Sequence, residues 1–225
     1  MLARLAPARG AAGPFPVDSL TEDYELGMRI RQAGGRACFL RARGEDGQLI
    51  ATRAWFPARI DQAVRQKARW VHGIALQGWD RLGWDGGLRE CWMRLRDRRG
   101  PLSALVLFAA YLLLVLGAAM WAARELGFGR PWHGDALLLA LIAANLASFA
   151  WRAAVRFCFT AHEYGVGEGV RAILRIPVAN IIAIMAARRA LAAYIRTLAG
   201  APVRWDKTRH DAHPADPAPL ATGAG

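Results

Sequence analysis

The longest uncharged run of the chain constrains its fold more than any other feature. Leu102 to Ala123 is 22 residues without a charge. As a helix rising about 1.5 Å per residue, this run is roughly 33 Å long, which is enough to cross a bilayer core of roughly 30 Å. The run has no polar face to present to water, which disfavours a buried helical hairpin of a soluble protein. The sequence therefore predicts a membrane-spanning helix.

A second apolar run follows after a short loop. Ala136 to Trp151 is uncharged for 16 residues. A helix can extend from it through Arg152 and Arg156 if their side chains reach the lipid headgroups. Glycine and proline interrupt the chain between the two runs, in residues 124–135. The two runs predict a transmembrane hairpin over residues 100–159.

A third apolar run is shorter. Ile176 to Ala187 is 12 residues and contains Pro177. A helix of that length cannot cross a bilayer, so the sequence predicts an interfacial or re-entrant helical segment over residues 160–200. Proline, glycine and alanine dominate residues 201–225, which we expect to be a cytoplasmic tail, disordered after about residue 213.

The distribution of basic residues predicts the orientation in the membrane. Lysine and arginine number 30 against 18 acidic residues, a net charge of +12. Six arginines precede the first run, between residues 81 and 99, whereas the loop 124–135 holds two. The positive-inside rule therefore places both termini in the cytoplasm of a multi-pass protein.

The excess positive charge also predicts which partners the chain contacts. A basic collar beside a membrane suits anionic lipids, so we expect membrane lipids as partners. A basic membrane protein that binds nucleic acid is a weaker alternative, because the tryptophans cluster near the membrane boundaries instead of along a soluble groove. We therefore expect no nucleic acid. The three separate cysteines exclude a disulfide scaffold.

Residues 1–99 form the part outside the predicted membrane segments. Ser19 and Glu22 fit a capping box, which predicts a helix from Ser19 that ends at Gly34-Gly35. A second helix is predicted over Asp61 to Trp84 by its apolar stripe. Between the helices, two strand-like pieces, residues 37–40 and 49–52, flank a turn at residues 44–47.

Two groups of polar residues in these helices are candidates for a site. Thr21, Glu22 and Asp23 place carboxylates where a helix N-terminus offers free N–H groups, which suits capping as well as catalysis. A second group shares one face of the second helix, since its members stand at i, i+3 and i+4: Gln66, Arg69 and Trp70. That face could hold a sugar ring and a phosphate, or it could lie on the membrane with its charge at the headgroups.

These residues resemble two motifs of one enzyme family. Thr21-Glu22-Asp23 resembles the TED motif of membrane-bound family-2 glycosyltransferases of the cellulose-synthase-like group, and residues 66–70 match their QxxRW motif. The order of the motifs, their spacing of 45 residues and the hairpin that follows agree with the family. A narrower resemblance is to the phage N-four adsorption protein B type of inner-membrane glycosyltransferase. It rests on residues 65–70, 77–80, 82–84, 205–208 and 210.

The resemblance implies a reaction and a role for each motif. Asp23 would be the general base, with Thr21 and Glu22 in the same catalytic motif. The QxxRW residues would bind the donor diphosphate and the acceptor sugar. The reaction would be an inverting transfer from a nucleotide sugar to a glycan acceptor at the bacterial inner membrane. The complete enzyme would need a divalent metal, Mg or Mn, on the diphosphate.

The chain also departs from the family pattern. It has no Asp-x-Asp pair, and too few residues precede Thr21 to form the nucleotide-binding strands. We therefore expect residues 1–99 to be the C-terminal remnant of the catalytic domain, in a gene fragment, a split gene or a gene with a mis-assigned start. We expect this chain to bind no metal and to be inactive alone. Its partners would be the missing N-terminal half or an outer-membrane export or receptor protein.

The expected fold is an α-helical membrane protein with a truncated α/β, glycosyltransferase-A-type cytoplasmic remnant. A non-catalytic alternative stays open for the function. In that alternative the chain is a membrane-interaction module of a phage-adsorption or exopolysaccharide-export assembly.

Overall fold

The structure is a computed structural model that describes residues 19–36, 38–47, 50, 57, 59–128 and 135–203. Its regular elements in these ranges are helices, and none of the described residues forms a strand. They are α1 (Glu22–Gln32), α2 (Ile60–Val71), a π-helix (His72–Gln77), α3 (Gly78–Leu82), α4 (Leu88–Arg98), α5 (Gly100–Glu125), α6 (Ala136–Tyr164), α7 (Val166–Leu174) and α8 (Ile176–Leu198).

The start of α1 differs from the prediction. The helix begins at Glu22 with Thr21 as its N-cap, and no side chain caps it. Ser19 is buried instead of capping, and the Leu20 N–H donates to Gln77 Oε1 at 3.4 Å. The predicted capping box is therefore wrong, because residues 19–21 pack against another part of the chain. The predicted end is confirmed, since the helix stops at Gln32, just before the two glycines.

The predicted strand–turn–strand piece over residues 37–52 shows a turn and a β-bridge residue, Arg43, within the described residues. The Gly47 N–H donates to the Gly44 carbonyl at 2.9 Å, and the Ile50 N–H donates to the Ala42 carbonyl at 2.9 Å. Residues 38–40 have no regular structure, and the other strand-like residues, at 37, 49, 51 and 52, lie outside the described residues. The α/β remnant is thus not shown by the part of the chain that the structure describes.

The predicted second helix is confirmed in extent but is divided into three elements. Helix α2, the π-helix and α3 follow one another without a break from Ile60 to Leu82. Gly83, with a φ of +55°, ends the run. Helix α4 is absent from the prediction because its buried residues are arginines, so its sequence lacks the usual apolar core stripe.

Three helices are long and apolar enough to cross a membrane, and they identify the chain as a membrane protein by length and composition. They are α5 with 26 residues, α6 with 29 and α8 with 23. The two helices of the predicted hairpin are confirmed as candidate spans. The predicted length of the third is wrong, because its helix has 23 residues instead of 12, whereas its interfacial or re-entrant placement stays a prediction. Helix α8 continues through Arg188 and Arg189, since arginine is a good helix former and more apolar residues follow.

The chain divides into two compact units. The first contains residues 1–103 and 185–225, and its apolar core is formed by Ala68, Ala186 and Ala190 with Val71 and Leu76 against them. The second contains residues 104–184. In that unit α7 packs against α6, and the Asn180 Nδ2 donates to the Tyr111 hydroxyl at 3.2 Å. The predicted tail disorder falls outside the described residues.

Candidate functional site

The π-helix directly follows the Gln66–Trp70 motif. It covers His72–Gln77, and four of its residues are buried. A π-helix adds a residue per turn to the surrounding α-helix, and such bulges are frequent at functional sites. Here the bulge provides the surface against which the Thr21–Asp23 motif packs.

Thr21 of the first motif makes a close contact with Gly73, in the π-helix that follows the second motif. Thr21 is buried. A Cβ atom added to Gly73 would lie 2.5 Å from the Thr21 Oγ1 and 2.7 Å from its Cγ2. Only glycine therefore leaves room for Thr21 here. The structure thus packs Thr21 against a residue that follows Trp70 by three positions in the sequence.

The other predicted site residues lie at or near the surface. Asp23 is exposed, and its Oδ1 accepts a hydrogen bond from the Tyr24 N–H at 2.8 Å. Glu22 is half-buried. On α2, Gln66 and Arg69 are half-buried and Trp70 is 40% exposed. The residues of α2 that are turned into the core are Val64 and Ala68, so Gln66, Arg69 and Trp70 lie away from the buried face of the helix.

Glu25 is a buried carboxylate that the sequence reasoning missed. It is 4% exposed and forms ion pairs with two arginines. The Arg29 Nη2 lies 2.7 Å from Glu25 Oε1, and the Arg81 Nε lies 3.3 Å from Oε2. The i, i+4 spacing of Glu25 and Arg29 was the available signal. The Arg29 pair lies within α1, whereas the Arg81 pair connects α1 to α3 beside the Thr21 contact.

Residues 77–84 form the segment that α4 holds in place. The Arg94 Nη1 donates to the carbonyls of Leu82 and Gly83, each at 2.9 Å. The Arg98 Nη2 donates to the Gly78 carbonyl at 2.7 Å.

The Arg98 guanidinium also lies against two indole rings. Its Cζ is 4.6 Å from the Trp84 ring centroid and 5.6 Å from that of Trp79. The two indoles meet edge to face at 4.7 Å. The tryptophans that carried the narrower resemblance thus have a structural role, as a cation–π site for an arginine of the same chain. Burial lowers the pKa of Arg98 below its usual value.

Helix α8 contacts the same segment through Tyr194. The Tyr194 hydroxyl donates to the Asp80 carboxylate, 2.8 Å from Oδ2. Its ring meets the His72 ring edge to face at 5.9 Å. His72 is buried, and its Nε2 has no hydrogen-bond partner among the described residues. Burial lowers the pKa of His72, and the negative charge of Asp80 opposes this only in part.

A small cavity lies between the motif contact and α3. Its volume is about 10 Å³, and its lining includes Thr21, Gly73 and Gln77. Such a cavity has room for about one water molecule. It is too small for a sugar ring.

The described residues do not fit a resident metal ion. In the ranges that the structure describes, no group of three or more His, Cys, Asp or Glu side chains could hold one. We therefore derive no step of a reaction through a metal.

Comparison with known proteins identifies the class of protein that these motifs define. The model of a family described as Glycosyl transferase family group 2 matches residues 4–123. The chain belongs to this family, as the TED-like and QxxRW motifs predicted. No solved structure matches it with significance.

Two particular relatives extend the match along the chain. Bacteriophage adsorption protein B of Escherichia coli (strain K12) is 32% identical over 231 aligned residues, which cover 93% of this chain and 31% of that protein. Bacteriophage N4 adsorption protein B of Escherichia coli O157:H7 matches with the same identity and coverage. The chain therefore spans about a third of the length of these relatives.

The Thr21–Gly73 contact predicts that Gly73→Ala destabilises the protein. The added methyl group has to displace Thr21, and overpacking of this kind costs about 1–3 kcal/mol of unfolding free energy. Gly27→Ala is the matched control, because a Cβ there meets nothing within 4 Å. In a helix interior that change stabilises by about 0.5–1 kcal/mol. Thermal unfolding in detergent micelles measures both, and equal midpoints for the two variants would contradict the contact.

The burial of His72 predicts a pH dependence of stability. The folded protein keeps the imidazole neutral, whereas the unfolded chain takes up a proton near the usual value of 6.5. As the pH falls below 6.5, the unfolded state binds more protons, so the unfolding free energy decreases. Above 6.5 this contribution is constant. His72→Gln should therefore lose less stability than the native protein on acidification from pH 7 to 5, measured as the unfolding midpoint at each pH. An unchanged slope in His72→Gln would contradict this role of the buried imidazole.

Proposed function

We propose that this chain is the motif-bearing and membrane-bound portion of a family-2 glycosyltransferase of the bacterial inner membrane. The observation that carries the proposal is the Thr21–Gly73 contact. It packs Thr21 of the first motif against Gly73, which follows the Gln66–Trp70 motif by three residues. Family membership alone would not require these two segments to meet in this chain.

Asp23 is the proposed general base. Its neighbour Thr21 is fixed by packing on the π-helix, which holds the start of α1 in place, while Asp23 itself stays exposed. An exposed carboxylate on a fixed backbone can approach an acceptor hydroxyl and take its proton as the sugar is transferred. In an inverting reaction the acceptor oxygen attacks the anomeric carbon, and the donor diphosphate leaves with the bonding electrons.

The proposed substrate surface is the face of α2 that carries Gln66, Arg69 and Trp70, and Glu22 belongs to the proposed catalytic motif. The Trp70 ring is 40% exposed and offers an apolar face on which an acceptor sugar can stack. The guanidinium of Arg69 and the amide of Gln66, one turn earlier, supply donors for the diphosphate of a nucleotide sugar. A divalent metal, Mg or Mn, remains part of the proposal for the complete enzyme only.

We further propose that both termini lie in the cytoplasm. The Tyr194–Asp80 hydrogen bond supports this, because it sets the C-terminal end of α8 beside α3. Helix α8 is long enough to cross a membrane. Its C-terminal half nevertheless packs on α2 through Ala186 and Ala190. Residues 60–99 and the end of α8 would then share one side of the membrane.

A second candidate function is a non-catalytic membrane module of a phage-adsorption or exopolysaccharide-export assembly. The names of the two relatives, which refer to bacteriophage adsorption, favour it. Its partner would be an outer-membrane export or receptor protein.

The catalytic proposal predicts that Asp23→Asn abolishes sugar transfer. A general base contributes about 10²–10⁴-fold to the rate, so transfer should fall by at least that lower factor. The measurement is incorporation of labelled sugar from nucleotide-sugar donors by membranes of cells that express the native locus. Asp85→Asn, at an exposed aspartate outside both motifs, is the matched control and should leave transfer unchanged.

Two other outcomes of this experiment decide against parts of the proposal. If Asp23→Asn protein accumulates normally and transfers sugar at the native rate, the base assignment fails and the non-catalytic module is favoured. Purified residues 1–225 should transfer no sugar, because the sequence contains no Asp-x-Asp pair. Transfer by that purified chain would overturn the expectation that it is inactive alone.

A further inference from the structure

Helix α4 presents its apolar residues outward. Leu88, Trp92 and Leu95 are 91%, 65% and 48% exposed. Their spacing of i, i+4 and i+7 places all three on one stripe of the helix. A helix on a water-exposed surface normally turns such a stripe into the core.

The opposite face of α4 is fixed by the protein. Arg94 and Arg98 are 2% and 6% exposed and donate to backbone carbonyls of the 78–83 segment. Tyr24 of α1 approaches the same face and donates to Asp97 Oδ2 at 3.4 Å. These bonds prevent the helix from rotating to bury its apolar stripe, so the stripe must meet an apolar environment outside this unit.

The charges beside the stripe indicate what that environment is. Arg89 and Arg99 are exposed and form no ion pair with any residue in the described ranges. Arg96, also exposed, has a long 3.7 Å contact with Asp97. Helix α5, the first candidate membrane span, begins at Gly100, so a single residue, Arg99, separates α4 from that span. An apolar stripe edged by arginines beside a membrane-entry point suits an anionic phospholipid surface.

We propose that α4 lies in the membrane interface and binds anionic phospholipid. Leu88, Trp92 and Leu95 insert about 5–10 Å into the boundary between headgroups and acyl chains. Arg89 and Arg99 bind the headgroup phosphates. This surface is independent of the sugar-transfer reaction, so it stands or falls separately from the proposed function.

Site-directed spin labelling of the whole chain in vesicles tests the insertion. Single cysteines are introduced as Leu88→Cys, Trp92→Cys and Leu95→Cys, with Glu45→Cys in the exposed 44–47 turn as a water-facing control. The native cysteines are replaced first: Cys38→Ser, Cys91→Ser and Cys158→Ala. In vesicles of phosphatidylcholine with phosphatidylglycerol, the three α4 labels should collide more with oxygen than with an aqueous nickel chelate, by several-fold relative to the control.

Two results would overturn the insertion. If the α4 labels meet the nickel chelate as readily as the Glu45→Cys label, the stripe faces water. If they meet neither oxygen nor nickel, the stripe is covered by protein. These positions are exposed, so labelling them leaves the packed face of α4 intact.

A charge-removal pair tests the headgroup contact. Arg89→Gln combined with Arg99→Gln should make the label at position 92 shallower in vesicles that contain phosphatidylglycerol, with no change in pure phosphatidylcholine. Arg36→Gln combined with Arg43→Gln removes the same charge elsewhere and should have no effect. An equal change in both lipids, or none in either, would refute binding to anionic headgroups.

Discussion

The close approach of Thr21 to Gly73 is the constraint on which the arrangement of the site depends. The π-helix places Gly73 where a Cβ would overlap the Thr21 side chain, and Gln77 accepts the Leu20 N–H. Because residues 19–21 are used in this packing, α1 cannot begin before Glu22. Asp23 then falls in the first helical turn and stays exposed. The position of the proposed base is thus a consequence of tertiary packing and not of local helix capping.

Two helices hold α3 and the residue after it through hydrogen bonds, α4 through Arg94 and α8 through Tyr194. The last carbonyls of a helix need donors, and Arg94 provides them at Leu82 and Gly83. The second contact is that of Tyr194, whose hydroxyl donates to the Asp80 carboxylate. Burying an arginine is expensive unless its charge is well solvated by hydrogen bonds or aromatic faces. The α4 arginines meet this condition in part, Arg94 through two carbonyls and Arg98 through one carbonyl and two indoles. Their Nε atoms and the Arg98 Nη1 are buried without a hydrogen-bond partner among the described residues.

The sequence predicts those parts of the fold that rest on long, regular patterns. The two helices of the hairpin and the extent of the helical run over 60–82 follow from uncharged length and an apolar stripe. Helix α4 escapes prediction because its pattern is inverted, with arginines inside. The π-helix and the Thr21–Gly73 contact escape it because they depend on a tertiary contact between residues 52 apart in sequence. Helix α8 is longer than predicted because it continues beyond the uncharged run, through Arg188 and Arg189.

The contacts of α3 also link the motifs to the membrane-associated helices. Helix α4 is followed by α5 in the sequence, and Tyr194 belongs to α8. Both α5 and α8 are candidate membrane spans. Arg81 of α3 pairs with Glu25 of α1, so any displacement of α3 passes to the helix that carries Asp23. Arg29 of α1 also pairs with Glu25, so the buried carboxylate keeps one partner within its own helix while Arg81 ties it to α3. The start of α1 is therefore fixed twice on the helical run over 60–82, by the Thr21 packing on Gly73 and by the Glu25–Arg81 pair.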